Sequence, residues 1–310
     1  MKKSAVLCGL IVALCFVSCV SSSASPPTPR TAAGPPATRM AFIGNSYTFF
    51  QDLPSMLANL TAASGHHKMV HQQATPGGSS IFGHADNSTP AGVLTDKMFA
   101  PGAVFDYVVL QDQSETPGGG RDTDSGLPTG KGKNLSLAAL SSYFAPRITR
   151  ANAAALMYST WGRRTPKTDD PKNADVYPTF MEMTRRTTEG YEDYATALHA
   201  HGIHTVVAPC GKAYEIIYNE TKSPLSSGSR FDALYHTGSA GIGGHPSVLG
   251  TYLIANVMFS ALYSKSSVGL PFVPQGIDAA EAKYLQGVAE RAVFTKRIIP
   301  LTRTHSQAVE

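Results

Sequence analysis

Apolar residues in this chain gather into five short runs, at 40–44, 68–73, 106–112, 154–160 and 204–209, with longer mixed stretches between them. Near-continuous apolar runs of strand length are the mark of strands covered on both faces, as in a parallel sheet. Most intervals leave room for the crossover helix that parallel neighbours require. Helical patterning falls at 53–63, 177–201, 247–264 and 278–296. In the second of these, Phe180, Met183, Thr187, Tyr191, Tyr194 and Leu198 recur at helical spacing and form an inward face. Alternating strands and helices predict a three-layer α/β/α domain around a central parallel sheet of about five strands. Binding sites in such sheets gather beyond the C-terminal strand ends. Three stretches rich in Gly, Pro, Ser or charge, at 114–134, 162–176 and 221–244, read as loops over that end.

The N-terminus changes the picture of where the chain works. Lys2 and Lys3, the apolar stretch 6–17 and the small-residue pattern Ser22-x-Ala24 make residues 1–24 a secretory signal by pattern. The apolar centre is too short to span a bilayer, and no later segment is long and apolar enough to do so. Cys19 offers a competing reading, a lipid anchor on that residue. The Pro-rich stretch 25–38 cannot bury enough apolar surface to fold and reads as a flexible leader. The folded domain is expected over 39–300, followed by a tail at 301–310. Three of the four cysteines belong to the signal, so Cys210 alone remains and no internal disulfide can form. It ends the fifth apolar run and reads as a buried side chain.

Signal removal takes Lys2 and Lys3 and no acid, so the formal charge falls from +4 to +2. So small a charge implies neither a nucleic-acid nor a membrane partner. Arg163-Arg164 and Arg185-Arg186 read as solvated surface. Glycan acceptor sequons stand at Asn59, Asn87, Asn134 and Asn219, available for modification if the host is eukaryotic. The histidines are scattered without a matched ligand pattern, and no phosphate-binding glycine motif is present, so no metal or cofactor is implied.

Four polar segments each follow an apolar run or precede a helix. Gly44-Asn45-Ser46-Tyr47-Thr48 follows the first run, a strand–turn–helix layout able to hold a serine hydroxyl above the sheet. Pro76-Gly77-Gly78-Ser79-Ser80 follows the second; glycine brings an amide close to a ligand and leaves it free to face an oxyanion. Gln111-Asp112-Gln113-Ser114 ends the third and offers a side-chain amide donor. Gly244-His245-Pro246-Ser247 precedes the long helix at 247–264 and supplies a base for the serine.

In this order the segments resemble the SGNH (GDSL-like) hydrolases, from Phe42 to about Tyr263. The likeness is to a divergent branch, carried by Gly44-Asn45-Ser46-Tyr47-Thr48, by Gly78-x-Ser80-Ile81-x-x-His84, by Gln111-x-Gln113-Ser114 and by His245-Pro246-Ser247-x-x-Gly250-x-Tyr252-Leu253. The resemblance implies a flavodoxin-like fold, Ser46 as nucleophile and His245 as base. It further implies an oxyanion hole from the Ser46 and Gly78 amides with the Gln113 side chain. Gln113 stands where most of the family has asparagine. The family's acid, three residues before the histidine, is replaced by Ile242. Asp232, a backbone carbonyl in a Ser–His dyad, or an acid from elsewhere such as Glu215 are the substitutes, with Asp232 or the dyad preferred. Tyr47, His84 and Trp161 are expected to line the pocket, Trp161 as a stacking surface for a sugar or acyl group. Two functions follow. One is an exported serine ester hydrolase acting on short acyl esters, such as acetyl groups on carbohydrate. The other, resting on Ile242, is a catalytically silent carbohydrate- or surface-binding protein on the same scaffold.

Overall fold

The computed structural model describes residues 38–295 apart from His67, Thr123 and 238–243. The signal, Cys19, Ile242 and the C-terminal tail therefore lie outside the described residues. Thr38, expected to end the leader, is instead the first residue of β1 (Thr38–Ile43). The chain continues through α1 (Ser46–Phe49), a 3-10 turn at Phe50–Asp52, α2 (Leu53–Ala63), β2 (Met69–Ala74), α3 (Ile81–His84), α4 (Pro90–Met98) and β3 (Tyr107–Leu110). Then come α5 (Lys131–Ala139), a π turn, α6 (Ala145–Arg150), β4 (Ala154–Ser159), α7 (Pro166–Asp169), α8 (Phe180–His199) and β5 (Thr205–Pro209). The chain closes with α9 (Cys210–Glu220), α10 (Val248–Tyr263) and α11 (Ala279–Phe294).

All five strands are parallel, in the order β2-β1-β3-β4-β5. Period-two alternation divides their side chains between two cores. Met40, Phe42, Val109, Leu156 and Tyr158 face the helices α2, α9, α10 and α11. Ala41, Ile43, Val108, Leu110, Ala155 and Met157 face the opposite layer, which includes Phe144, Ile148, Tyr191, Tyr194 and Leu198. Burial on both faces explains why β1, β3 and β4 read as apolar runs, whereas β2, at the sheet edge, carries exposed Val70, Gln72 and Gln73. Helix α10 shows the same logic in another period. Nearly all of its residues from Gly250 to Leu262 are buried, so it is apolar all round.

Helices α4, α5, α6 and α9 occupy intervals where no helix was assigned from patterning. Lys131–Ala139 begins inside the expected 114–134 loop, and α5 mixes Lys, Gly, Asn and Ser with few apolar residues. Such short, weakly amphipathic helices are held by packing on the sheet more than by their own propensity. The strand order reverses at β1, where the chain leaves first to β2 and later to β3. The crevice beyond the C-terminal ends of β1 and β3 is the topological switch point, where ligands bind in open α/β sheets.

Candidate active site

The turn that carries Ser46 leaves β1 at Gly44. A methyl group there would lie 2.5 Å from Gln111 Oε1 and 2.6 Å from Thr48 Oγ1, so any larger residue displaces these side chains. Gln111 Oε1 accepts both the Asn45 amide and the Thr48 hydroxyl, each at 2.9 Å. Asn45 caps α1 by accepting the Tyr47 amide at 3.0 Å, and its own side-chain amide donates to the Ser79 carbonyl at 2.9 Å. Each residue of Gly-Asn-Ser-Tyr-Thr thus has a local task, and the turn is tied to the strands on both sides. Ser46 is partly exposed, and its amide, first in α1, has no intrahelical acceptor.

His245 Nε2 lies 2.7 Å from Ser46 Oγ, joining residues 199 positions apart. A neutral imidazole accepts the serine proton at that distance. Burial first, then the positive charge of Arg163 and the proximity of His236, hold the His245 pKa below the ordinary 6.5. All three effects favour the neutral base. Phe50 stacks on the His245 ring, with centroids 4.3 Å apart and planes at 16°, and Tyr47 tilts against it at 5.4 Å. The backbone is pinned as well. His245 carbonyl accepts the His236 amide at 2.9 Å, and the Gly244 carbonyl accepts Trp161 Nε1–H at 3.1 Å.

Asp232 does not reach the histidine. Its carboxylate is salt-bridged to Arg164 and accepts the Gly228 amide at 2.8 Å. The segments around Tyr235 and Pro246 run side by side in an antiparallel bridge, which leaves Asp232 displaced along the chain from His245. Glu215 is paired with Lys212 at 2.8 Å. Among the described residues no carboxylate hydrogen-bonds His245.

Gly78 sits at φ +70° in the turn after β2, a backbone conformation that suits glycine. Together with Ser46, Tyr47, Gln113, Asp124 and Arg163 it lines a cavity of about 170 Å³ beside His245. Gln113 does not simply face the serine: its side-chain amide donates to Asp124 Oδ2 at 3.0 Å, and its Oε1 accepts the Glu115 amide at 2.8 Å. A side-chain amide carries two N–H donors, so one is still available to a ligand.

His84 and Trp161 are not pocket walls. His84 is fully buried, 2.8 Å from the Gly44 carbonyl through Nε2 and 2.8 Å from Thr95 Oγ1 through Nδ1. A carbonyl only accepts, so Nε2 carries the proton, and burial keeps the ring's pKa low. His84 holds the nucleophile turn from behind. Trp161 is buried flat against Tyr214, centroids 4.3 Å apart and planes at 5°, and cannot stack on a ligand. Tyr47 does line the cavity.

Several residues escaped the sequence reading. Arg163, expected on the surface, is buried and salt-bridged to the fully buried Glu115. Two adjacent arginines after a strand carry no signal that separates their fates; Arg164 turned outward and Arg163 inward. Asp112 is also buried, accepting the Ile81 and Gln113 amides at 2.8 Å each and the Tyr194 hydroxyl at 2.8 Å. Burial pushes its pKa up to about 6 despite these donors. It locks together the turn after β2 and the end of β3, and its place between two glutamines was the available signal. Cys210 is buried and its thiol is pushed well up by burial, which removes it as a nucleophile. Among the described residues no cluster of three or more His, Cys, Asp or Glu could hold a metal ion, and no helix is long and apolar enough to cross a membrane.

No protein-family model and no curated protein matches this chain. Solved structures do. A DUF4886 family protein from Bacteroides uniformis superposes with a TM-score of 0.63 at 20% identity, covering 86% of this chain and 98% of that one. A protein from Slackia heliotrinireducens, provisionally classed as an SGNH hydrolase, superposes with a TM-score of 0.51 at 21% identity, covering 73% and 99%. This chain has the SGNH-hydrolase fold, a five-stranded parallel sheet flanked by helices.

Proposed function

We propose that this protein is an exported serine ester hydrolase working through an acyl-Ser46 intermediate. The observation that carries the reading is the 2.7 Å approach of His245 Nε2 to Ser46 Oγ at the switch point of the sheet. His245 takes the serine proton as Ser46 Oγ bonds to the ester carbonyl carbon. The oxyanion that forms is met by the Ser46 and Gly78 amides and by the N–H of Gln113 not engaged by Asp124. Protonated His245 then gives its proton to the departing alkoxide, and water repeats the sequence on the acyl-enzyme.

Cavity size supports a short acyl group. A cavity of about 150 Å³ holds benzene, and the one beside Ser46 is of similar size, about 170 Å³. Its polar lining by Gln113, Ser114, Asp124 and Arg163 suits hydroxylated alcohols such as sugars better than long lipid tails. Export follows from the N-terminal signal pattern. Asn59, Asn87, Asn134 and Asn219 are all exposed, so each sequon is open to a glycan in a host that attaches them.

Labelling with a fluorophosphonate probe, and hydrolysis of p-nitrophenyl acetate against the octanoate, test the reading. Wild type should label and prefer acetate, while Ser46→Ala and His245→Ala should lose at least about 1,000-fold in turnover. The Asp124–Gln113 contact and the absence, among the described residues, of a carboxylate bonded to His245 favour the silent binding protein. Wild type that neither labels nor hydrolyses would overturn the esterase reading and favour that alternative.

A further inference from the structure

The rings around His245 carry an inference that rests on the esterase reading. A general base in a serine hydrolase becomes a cation at the first step: the Ser46 Oγ–H proton moves to Nε2, Oγ bonds to the carbonyl carbon, and the carbonyl π pair moves to oxygen. At the second step the bond to the alcohol breaks with its pair, and the alkoxide takes the proton back from Nε2. Something must orient the ring and stabilise the imidazolium between these steps, the work of an acid in most such enzymes. Among the described residues no carboxylate bonds His245, and the undescribed segment 238–243, Gly-Ser-Ala-Gly-Ile-Gly, contains none.

We propose that Phe50 is the positioning residue that does this work, presenting its aromatic face to the His245 imidazolium. The rings are nearly parallel, 16° apart, at a centroid separation of 4.3 Å, within the range for attraction between a cation and an aromatic face. Tyr47 closes on the ring from its own position at 5.4 Å, and His236 meets the Phe50 ring edge-on at 5.4 Å.

The backbone around Phe50 has a matching peculiarity. Phe50 is the residue just past α1 and is followed by two non-glycine residues in the left-handed region, Gln51 at φ 52° and Asp52 at φ 50°. Consecutive left-handed side chains are sparsely populated and persist where the surrounding structure imposes them. Here the double reversal separates α1 from α2, and Phe50 at its start lies over His245. The Ser55 amide donates to Asp52 Oδ1 at 3.4 Å, a cap that holds its far end.

The charged and titratable groups around His245 come from four elements. Arg163 follows β4, His236 lies on the antiparallel segment, Tyr47 is in α1, and Asp124 lines the same cavity from the 114–134 stretch. Replacing Phe50 by leucine leaves all four residues in the sequence and an apolar side chain against His245; it removes the π face and, with it, the edge-on contact to His236.

The test is an NMR titration of His245, assigned by comparison with His245→Gln, in wild type, Phe50→Leu and Phe50→Trp, beside kcat and KM for p-nitrophenyl acetate. In Phe50→Leu, His245 should titrate at lower pH and kcat should fall about tenfold with KM little changed, the loss expected for one such contact. Phe50→Trp should restore both. The proposal is overturned if leucine leaves titration and kcat within twofold of wild type, or if tryptophan fails as leucine does, since either would make Phe50 a spacer. Should wild type hydrolyse no ester, the esterase reading falls, and the order of the three titrations still decides whether Phe50 holds the imidazolium.

Discussion

Ser46 and His245 meet at 2.7 Å, yet the two halves of the site are built by different means. The serine half is a lattice of hydrogen bonds. Gln111 takes two donors, Asn45 caps and crosslinks, His84 holds the Gly44 carbonyl, and buried Asp112 joins the two neighbouring turns. The histidine half is held by packing. Phe50 and Tyr47 flank the ring, and a Trp161 bond to the preceding carbonyl and a strand-like bridge hold its backbone. Directional bonds tolerate little displacement, whereas stacked rings slide and tilt at small cost. The serine half should therefore fail abruptly on substitution and the histidine half by degrees.

Beyond Ser46 and His245 themselves, the largest effect is expected at Gly44. Gly44→Ala drives a methyl into Gln111 Oε1 at 2.5 Å and Thr48 Oγ1 at 2.6 Å, so the side chains that tie the turn together, or the turn itself, must move. Overpacking of this kind costs about 1–3 kcal/mol, and a displacement of the nucleophile by an ångström costs about 100-fold in rate. Thermal unfolding and acetate-ester turnover together check both; wild-type turnover in this variant would refute the picture of a rigid serine half.

A smaller effect sharpens the histidine half. Catalysis needs neutral His245, whose pKa lies below the ordinary 6.5 because burial, Arg163 and His236 all oppose the charge. As pH rises through that depressed value the base is freed, so the acid limb of kcat/KM should have its midpoint below 6.5. A midpoint above 6.5 would point to a carboxylate near the ring. The pH profile of a short activated ester measures it.

The smallest effect is expected at Asp232. Asp232→Asn loses a partly exposed pair with Arg164, which contributes about 1 kcal/mol or less. Turnover should stay within twofold of wild type, because the carboxylate is turned away from His245. A fall of orders of magnitude would restore Asp232 as the orienting acid.

Much of this protein was legible before folding. The five strands fall within a few residues of the apolar runs, and α2, α8, α10 and α11 lie where their periodicity placed them, because burial on both sheet faces or one helix face is a local, periodic signal. The glycine, amide and histidine segments at strand ends were legible for the same reason: a polar break after a buried run marks the sheet edge. Partner choice was not. Gln111 to Thr48, His84 to Gly44, Arg163 to Glu115 and Phe50 to His245 are pairings across 40 to 195 positions. Asp232 and Arg163 went astray there, since a carboxylate or guanidinium has no sequence mark for the partner that will neutralise it. The chain by itself determined which residues could do chemistry and at which edge of the sheet they would stand. Only the tertiary structure decided which of them meet, because hydrogen bonds, ion pairs and ring stacking act over a few ångströms, and only packing of the layers brings distant residues that close.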